Sequence, residues 1–227
     1  QVAGVEMDSR DVINGDLFIA LKGEAMDGHR FLDKAFANGA AGAIVDRAVD
    51  WPHILVEDTT AALEALARAA RSRVEATIIG VTGSVGKTGS KEMLAHMLRR
   101  LGGCHANRAS FNNHLGVPLT LAALPDAPLA AVQEIGMNAP GEIRTLSALA
   151  QPDIAVITRI ADSHASFFDS LDDMSRCMIV PSYVGCTFCS PPNLRQVVFV
   201  TQGRSDTPKK TYSFIEEPSY ITGIFRI

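Results

Sequence analysis

A glycine-rich turn followed by lysine and threonine lies near the middle of the chain, at residues 83–88. It comes directly after residues 78–81, a short apolar run of the kind that fills a buried parallel strand. The glycines let backbone amides turn toward phosphate oxygens, the lysine adds a mobile positive charge, and the threonine hydroxyl suits a magnesium ion. We therefore predict a site for nucleotide phosphates. The predicted phosphate loop comprises Gly83, Ser84, Val85, Gly86, Lys87, Thr88 and Gly89.

The residues after this loop, 91–101, carry apolar side chains at helical spacing. A helix that starts at the loop adds the positive end of its dipole to an anion site. The strict nucleotide-loop pattern has a glycine where this chain has Val81, and the glycine lies one position earlier, at Gly80. A strand-to-helix turn without a ligand is therefore the alternative.

Strands and helices alternate along the chain at a spacing that predicts an α/β fold with a mostly parallel sheet and flanking helices. We divide the chain into a small N-terminal α/β unit (1–76), a truncated P-loop-type central unit (77–174) and an unmatched tail (175–227). The predicted strands are residues 17–21, 43–45, 54–56, 78–81, 129–135 and 154–158. The predicted helices are residues 30–38, 91–101, 141–150 and a helix ending at residue 73 that Thr59 or Thr60 caps.

The tail differs in composition from the rest of the chain. Residues 1–174 contain thirty alanines and residues 175–227 none, and the tail holds three of the four cysteines and all three tyrosines. A break of this kind indicates a frame-shifted or foreign segment, with a small domain of its own bias as the alternative. Residues 196–201 have the pattern of a strand that can pair with an exposed sheet edge.

The overall composition narrows the class of protein. The 227 residues are 47% hydrophobic with a net charge of −4, so the chain can build a core and offers no electrostatic reason to bind nucleic acid. No apolar run approaches the roughly 20 residues of a membrane helix. Four cysteines in a chain of this size indicate a reducing compartment. We therefore expect a cytoplasmic enzyme.

Four blocks of residues form a recognisable set: residues 8–23 with 27–31, residues 83–88, residues 111–120, and residues 134–138 with 141–143, followed by His164. Together they resemble the Mur ligases, the ATP-dependent amide-forming enzymes of peptidoglycan precursor synthesis. The resemblance covers residues 4–174. The paired asparagines at 112 and 113 favour the branch that joins D-alanyl-D-alanine to UDP-N-acetylmuramoyl-tripeptide.

This resemblance implies a reaction in which ATP converts a carboxylate into an acyl phosphate, which an amine then attacks. The implied cofactors are ATP and Mg²⁺, and the implied partners are a UDP-N-acetylmuramoyl-peptide and D-alanyl-D-alanine. Bringing phosphate and carboxylate anions together requires metal and lysine to neutralise their charge. A non-catalytic fragment that binds UDP-sugar or nucleotide, and a generic P-loop nucleotidase, are the alternatives.

The resemblance also implies roles for individual residues. Lys87, Glu134 and His164 are the implied catalytic residues, and Thr88, Glu134 and His164 the implied metal ligands. The implied substrate-binding residues are Ser9, Arg10, Asn112 and Asn113. Simpler alternatives are a strand-end carboxylate for Glu134, a solvated side chain for His164, helix caps for the asparagines and a surface turn for Ser9 and Arg10.

The chain departs from the family beyond His164. The family has a carbamylated lysine there that bridges two metals, and counting along this sequence puts that position at Met178. Methionine cannot carry a carbamate, and the later parts of the family's central and C-terminal domains have no match. We therefore expect ligase activity to be incomplete or impaired in this chain.

Overall fold

The computed structural model describes residues 2–23, 26–139 and 141–159, and the backbone of a further strand, Gln196–Phe199. These residues form two parallel β-sheets with helices packed against them. The predicted α/β class is therefore confirmed. No helix within these ranges has the length and apolarity needed to cross a lipid bilayer.

The N-terminal elements form a sheet of four strands. In chain order they are β1 (Val5–Glu6), β2 (Leu17–Ile19), a 3₁₀ helix (Gly28–Phe31), α1 (Leu32–Ala37), β3 (Gly42–Val45), β4 (His53–Leu55) and then α2 (Thr59–Arg73). The strands lie in the order β1-β2-β3-β4, and every neighbouring pair is parallel. Phe18, in β2, is fully buried on the face that α1 covers.

A second sheet of five strands follows. Its elements are β5 (Thr77–Thr82), α3 (Lys87–Arg99), β6 (Cys104–Ala106), α4 (Gly116–Ala122), β7 (Ala130–Glu134), α5 (Glu142–Ala150), β8 (Ile154–Ile157) and β9 (Gln196–Phe199). The strands lie in the order β6-β7-β5-β8-β9, all parallel. After β5 the chain builds first on one side of that strand and then, with β8, on the other. Ligand clefts in parallel sheets form at such a reversal, beyond the carboxyl ends of the strands.

Helices cover both faces of the second sheet. On one face, Val81, Val132 and Val156 of three neighbouring strands form a buried cluster with Ala95 of α3. On the other face, Ile78 is fully buried in a cluster that includes side chains of α2, α4 and α5. This packing positions the carboxyl ends of β5, β7 and β8 side by side.

The helix α2 contributes to the cores beneath both sheets. Leu63 packs with Ile19 and Ile44 of the first sheet. Ala67 and Ala70, one and two turns later, belong to the core of the second sheet. The predicted division after residue 76 thus falls just beyond a helix that both sheets share, and it stays a prediction.

Two predicted helix starts differ from the structure. The cap of α2 is Asp58, not Thr59 or Thr60, because its carboxylate accepts the N–H of Thr60 at 2.7 Å while Thr59 is already helical and buried. The helix α3 begins at Lys87 rather than at residue 91. Its first turn is polar, so apolar periodicity alone places the start too late.

The tail supplies an edge strand of the second sheet. β9 pairs in parallel with β8, with Ile154 opposite Gln196 and Ile157 opposite Phe199. The strand pattern in the tail indicated pairing of this kind. The partner is β8, whose outer edge β9 covers.

Candidate active site

The loop after β5 turns at two glycines in the left-handed region. Gly83 has φ +133° and Gly86 has φ +90°, conformations that residues with a Cβ rarely adopt. A Cβ on Gly83 would also collide with the hydroxyl of Thr158, which follows β8. The backbone geometry itself therefore requires glycine at these positions of the predicted phosphate loop.

Thr158 and Arg159, which follow β8, form hydrogen bonds with the first half of this loop. The carbonyl of Arg159 accepts the N–H of Ser84 at 2.8 Å and the N–H of Val85 at 3.3 Å. The hydroxyl of Thr158 lies 3.0 Å from the carbonyl oxygen of Thr82 and 2.8 Å from that of Val85. Two loop amides are thus occupied by the protein and are not free to bind the predicted phosphate.

The amides at the start of α3 are open. The first backbone bond of the helix runs from the N–H of Ser90 to the carbonyl of Gly86 at 3.0 Å, and no side chain caps the helix. In the described part of the chain, the N–H groups of Lys87, Thr88 and Gly89 have no hydrogen-bond acceptor. Open amides at the positive end of a helix dipole attract anions.

The ammonium of Lys87 folds back over the loop. It donates to the carbonyl of Gly83 at 2.7 Å and lies 3.4 Å from the carbonyl oxygen of Ser84. Burial lowers the pKa of Lys87, and the carboxylate of Glu134 opposes that shift. Main-chain oxygens therefore hold the charge at the centre of the loop.

Glu134 stands at the carboxyl end of β7 and is 1% exposed. Its Oε1 accepts from the hydroxyl of Thr88 at 3.2 Å and from Nδ2 of Asn112 at 2.7 Å. Its Oε2 is buried, and none of the described residues offers it a hydrogen bond. Three residues predicted from separate motifs, Thr88, Asn112 and Glu134, are thus brought together at one point.

The other predicted loop residues have different environments. The hydroxyl of Ser84 is buried and has no partner among the described residues. Val85 is 53% exposed. Gly89 lies inside α3 beside open space. Of these three, Ser84 alone has a polar side chain with unused hydrogen-bonding capacity.

The two predicted asparagines make different contacts. Asn112 donates to the carboxylate of Glu134, whereas Oδ1 of Asn113 accepts the N–H groups of Leu115 and Gly116 at 3.1 and 2.9 Å. The contacts of Asn113 are those of a helix cap at the start of α4. Its role in substrate binding stays a prediction.

Two buried polar residues at this site were not predicted from the sequence. Asn107 brackets the backbone of Glu134, accepting its N–H at 2.8 Å and donating to its carbonyl at 3.0 Å. Lys91 donates to the carbonyls of Asn107 and Ala109 at 2.8 and 2.6 Å. Lys91 follows Lys87 by one helical turn, and this spacing is the signal that could have suggested it.

The predicted UDP-binding pair lies in the turn after β1. Arg10 binds the carboxylate of Asp8 with both Nε and Nη2, which lowers the pKa of Asp8 to about 2. Ser9 beside it is buried. Arg108, in the segment after β6, forms ion pairs with the buried carboxylate of Glu6 at the end of β1 and, at 3.8 Å, with Asp11 in the turn. The predicted substrate turn therefore contacts the segment that leads from Asn107 to Asn112.

Of the predicted metal ligands, Thr88 and Glu134 lie in the described part of the chain. His164, the third, lies outside the described residues, and so does Met178. Within the described ranges, no three His, Cys, Asp or Glu side chains cluster as a metal site would require. Hydroxyl and carboxylate oxygens nevertheless suit Mg²⁺. The unpartnered Oε2 of Glu134 fits a cation too, since a buried carboxylate oxygen needs a positive or donating partner.

The strand, loop and helix at β5 place the protein in the class of P-loop-type α/β proteins. The sequence profile of the Mur ligase family, catalytic domain, matches residues 1–75, and that of the Mur ligase middle domain matches residues 81–179. The chain therefore belongs to the Mur ligase family, as its motifs predicted.

Relatives and solved structures agree with this assignment. The UDP-N-acetylmuramoyl-tripeptide–D-alanyl-D-alanine ligase of Bacillus subtilis is 43% identical over 183 residues, covering 78% of this chain and 40% of that protein. MurF from Acinetobacter baumannii is 39% identical with a TM-score of 0.65, covering 77% of this chain and 39% of that one. The MurF ligase of Thermotoga maritima, in complex with ADP, is 31% identical with a TM-score of 0.69, covering 88% and 46%. The chain thus spans less than half the length of each.

Proposed function

We propose that the whole protein is an ATP-dependent ligase that joins D-alanyl-D-alanine to UDP-N-acetylmuramoyl-tripeptide through an acyl phosphate. One observation carries the proposal: Glu134 meets the hydroxyl of Thr88 and the amide of Asn112 at the carboxyl edge of a parallel sheet. The names of the relatives supply the substrates. Because the chain spans 40% of the Bacillus subtilis relative, we expect incomplete or impaired activity from residues 1–227 alone.

In this proposal the residues at the start of α3 bind the phosphates of ATP. The open amides of Lys87, Thr88 and Gly89 donate to phosphate oxygens. The ammonium of Lys87 leaves the carbonyl of Gly83 and donates to phosphate oxygens too. The hydroxyl of Ser84 is a further donor. Donors fixed in this way promote phosphoryl transfer through position and charge.

Thr88 and Glu134 are the residues that would hold Mg²⁺, with His164 as a further predicted ligand. Bound there, the ion supplies neutralising charge for the phosphate and carboxylate groups that the reaction brings together. Asn112 donates to Oε1 of Glu134 and so orients the carboxylate, leaving Oε2 for the cation.

We assign the UDP-muramyl substrate to the turn after β1. The guanidinium of Arg10 is exposed, and its fork of N–H donors suits a diphosphate. The carboxylate of Asp8 holds that fork in place until the ligand arrives. Ser9 completes the proposed turn, and Asn112 and Asn113 are the proposed contacts nearer the metal. We place the enzyme in the cytoplasm, in line with its cysteine content.

Calorimetry on the chain tests the nucleotide site. The wild-type chain should bind ATP in a Mg²⁺-dependent manner, and Lys87→Ala should abolish measurable binding because the loop loses its only mobile ammonium. UDP-sugar binding should stay nearly unchanged. Arg99→Ala, which removes an exposed cation from the last turn of the same helix, α3, is the matched control. Equal loss of both ligands would show that the two sites are coupled, and a folded wild-type chain without Mg²⁺-dependent ATP binding would contradict the proposed function.

Phosphate release from ATP separates the ligase from its two alternatives. We expect slow release that depends on added UDP-N-acetylmuramoyl-tripeptide, because its carboxylate accepts the phosphoryl group from ATP and water then hydrolyses the acyl phosphate. Phosphate release at the same rate with and without the tripeptide indicates a generic P-loop nucleotidase. Affinity for nucleotide and UDP-sugar without any release indicates a non-catalytic binding fragment.

A further inference from the structure

A fully buried lysine lies at the proposed site without contacting the predicted metal ligands Thr88 and Glu134. Lys91 is 0% exposed, and its ammonium donates to the carbonyls of Asn107 at 2.8 Å and Ala109 at 2.6 Å. The half-exposed carboxylate of Glu92 lies 2.8 Å away. Removing an ammonium from water is costly unless other groups compensate its charge. Here two carbonyls of the segment between β6 and α4 and the Glu92 carboxylate do so, and the same contacts fix that segment against α3.

The segment between β6 and α4 contains a strained backbone conformation that contacts from other elements must stabilise. Ala109 has φ +45°, a left-handed conformation that costs energy for a residue with a Cβ. The bond from Lys91 ends on the carbonyl of this residue. The lysine of α3 therefore stabilises a strained turn in the middle of residues 107–112.

Asn107 connects the segment to the backbone of Glu134. β6 ends at Ala106, which pairs with Val132, so the ladder stops before β7 does. The side chain of Asn107 continues it, because Oδ1 accepts the N–H of Glu134 at 2.8 Å and Nδ2 donates to its carbonyl at 3.0 Å. Nδ2 also lies 2.7 Å from the carbonyl of Phe111. Asn107 is 2% exposed and uses both donors and an acceptor.

The same segment reaches the carboxylate of Glu134 at its other end. Asn112 donates to Oε1 at 2.7 Å. Residues 107–112 thus hold Glu134 twice, through its main chain by Asn107 and through its carboxylate by Asn112, and Lys91 anchors them to α3. The helix that carries Thr88 is therefore connected to Glu134 through Lys91 and this segment, in addition to the direct bond from the Thr88 hydroxyl.

We propose that Lys91 and Asn107 are positioning residues of the proposed ligase site, which set the place of the Glu134 carboxylate relative to the Thr88 hydroxyl for Mg²⁺. The inference rests on the proposed function. Partners that orient metal ligands change metal affinity by about 10–100-fold when they are removed. Lys91 and Asn107 are such partners, although neither is a ligand itself.

The test measures ATP affinity by calorimetry with and without Mg²⁺ on the chain as it exists. Asn107→Ala and Lys91→Met should each reduce the gain in affinity that Mg²⁺ provides by about 10-fold, approaching the value for Glu134→Gln. Affinity for metal-free ATP should change by less than about 2-fold, because Lys87 and the loop amides remain. Leu146→Ala, a core substitution in α5, is the control for lost stability, and it should leave the Mg²⁺ gain unchanged.

The outcomes are distinguishable. A wild-type chain without any Mg²⁺ gain contradicts the proposed function itself. If Asn107→Ala and Lys91→Met keep the wild-type increase in ATP affinity with Mg²⁺, the positioning role alone is overturned. The same holds if Leu146→Ala loses as much of that increase as they do. If the variants do not fold, the side-chain amide resonance of Asn107 in the wild-type chain decides. It should shift when Mg²⁺ is added to the ATP-bound protein, and an unchanged resonance overturns the inference.

Discussion

Glu134 has almost no exposure to water, and burying a carboxylate is costly unless donors or cations compensate its charge. Thr88 and Asn112 compensate one oxygen. The hydroxyls of Thr82 and Ser84, at the end of β5 and in the loop after it, are also buried without partners among the described residues. Unpaired polar atoms around one loop are typical of a site whose ligand completes their hydrogen bonds.

A substitution at Gly136 tests this arrangement at the scale of one residue. A Cβ there would lie 2.8 Å from Cγ of Asn112, so Gly136→Ala should displace that side chain from Glu134. We expect a loss of about 1 kcal/mol in the free energy of unfolding. Calorimetry should also show a weaker Mg²⁺-dependent ATP affinity. Gly42→Ala, where the added carbon makes only ordinary contacts, is the matched control. Unchanged ATP affinity in Gly136→Ala would contradict the role given to Asn112.

At the scale of elements, the site depends on how β6 and α4 are fixed around the segment that joins them. β6 has three residues and pairs with β7 alone among the described strands. The imidazole Nε2 of His105 in β6 donates to the carbonyl of Thr120 in α4 at 2.8 Å. This bond connects the strand before the segment with the helix after it. Burial of the imidazole lowers the pKa of His105.

Because burial disfavours the charged imidazole of His105, the stability of the folded chain depends on pH. The unfolded chain binds a proton at His105 near pH 6.5, whereas the folded chain resists it. The contribution of His105 to stability is therefore present above that pH and lost as pH falls below it. The difference in unfolding free energy between wild type and His105→Gln should shrink from about pH 7.5 to about pH 5. Urea titrations check this, with the exposed His53→Gln as control. A difference that stays constant would contradict the expectation.

At the scale of the whole molecule, the two sheets are joined through α2. Arg71 near its end is buried and donates to the carbonyls of Val74, Ala150 and Gln151 at 3.0–3.1 Å. One guanidinium thus ties α2 to the end of α5, just before β8. The proposed N-terminal and central units, residues 1–76 and 77–174, meet at this helix.

Replacing this arginine tests how strongly the units depend on each other. Arg71→Met leaves three carbonyls without their donor and should lower the free energy of unfolding by about 3 kcal/mol. Unfolding is followed by fluorescence of Trp51, the single tryptophan, which reports the first sheet, and by far-UV circular dichroism. We expect both signals to shift together. Arg68→Met, one turn earlier and exposed, is the control. Two separate transitions would show that the units unfold independently.

Elements with strong local signals were predictable, and short ones were not. The helices α2 and α5 and the strands β5 and β7 have apolar patterns long enough to identify them. β1 and β6 have two and three residues, with Glu6 and His105 among them, and no periodic pattern marks so short a strand. Asn107 was missed for a related reason, because its partner Glu134 lies 27 residues away.

The sequence by itself determined the α/β class, because apolar periodicity acts over neighbouring residues. Its motif blocks resembled the Mur ligases, the family to which the chain belongs. Glycines and a lysine close together in the chain also predicted the phosphate loop, and that role stays a prediction. Only the tertiary structure decided that Thr88, Asn112 and Glu134 meet, since 46 and 22 residues separate Glu134 from the other two. It also decided that Asn113 caps a helix while Asn112 reaches the carboxylate. The physical reason is that strand order and helix packing, which no local pattern encodes, set which carboxyl ends lie side by side.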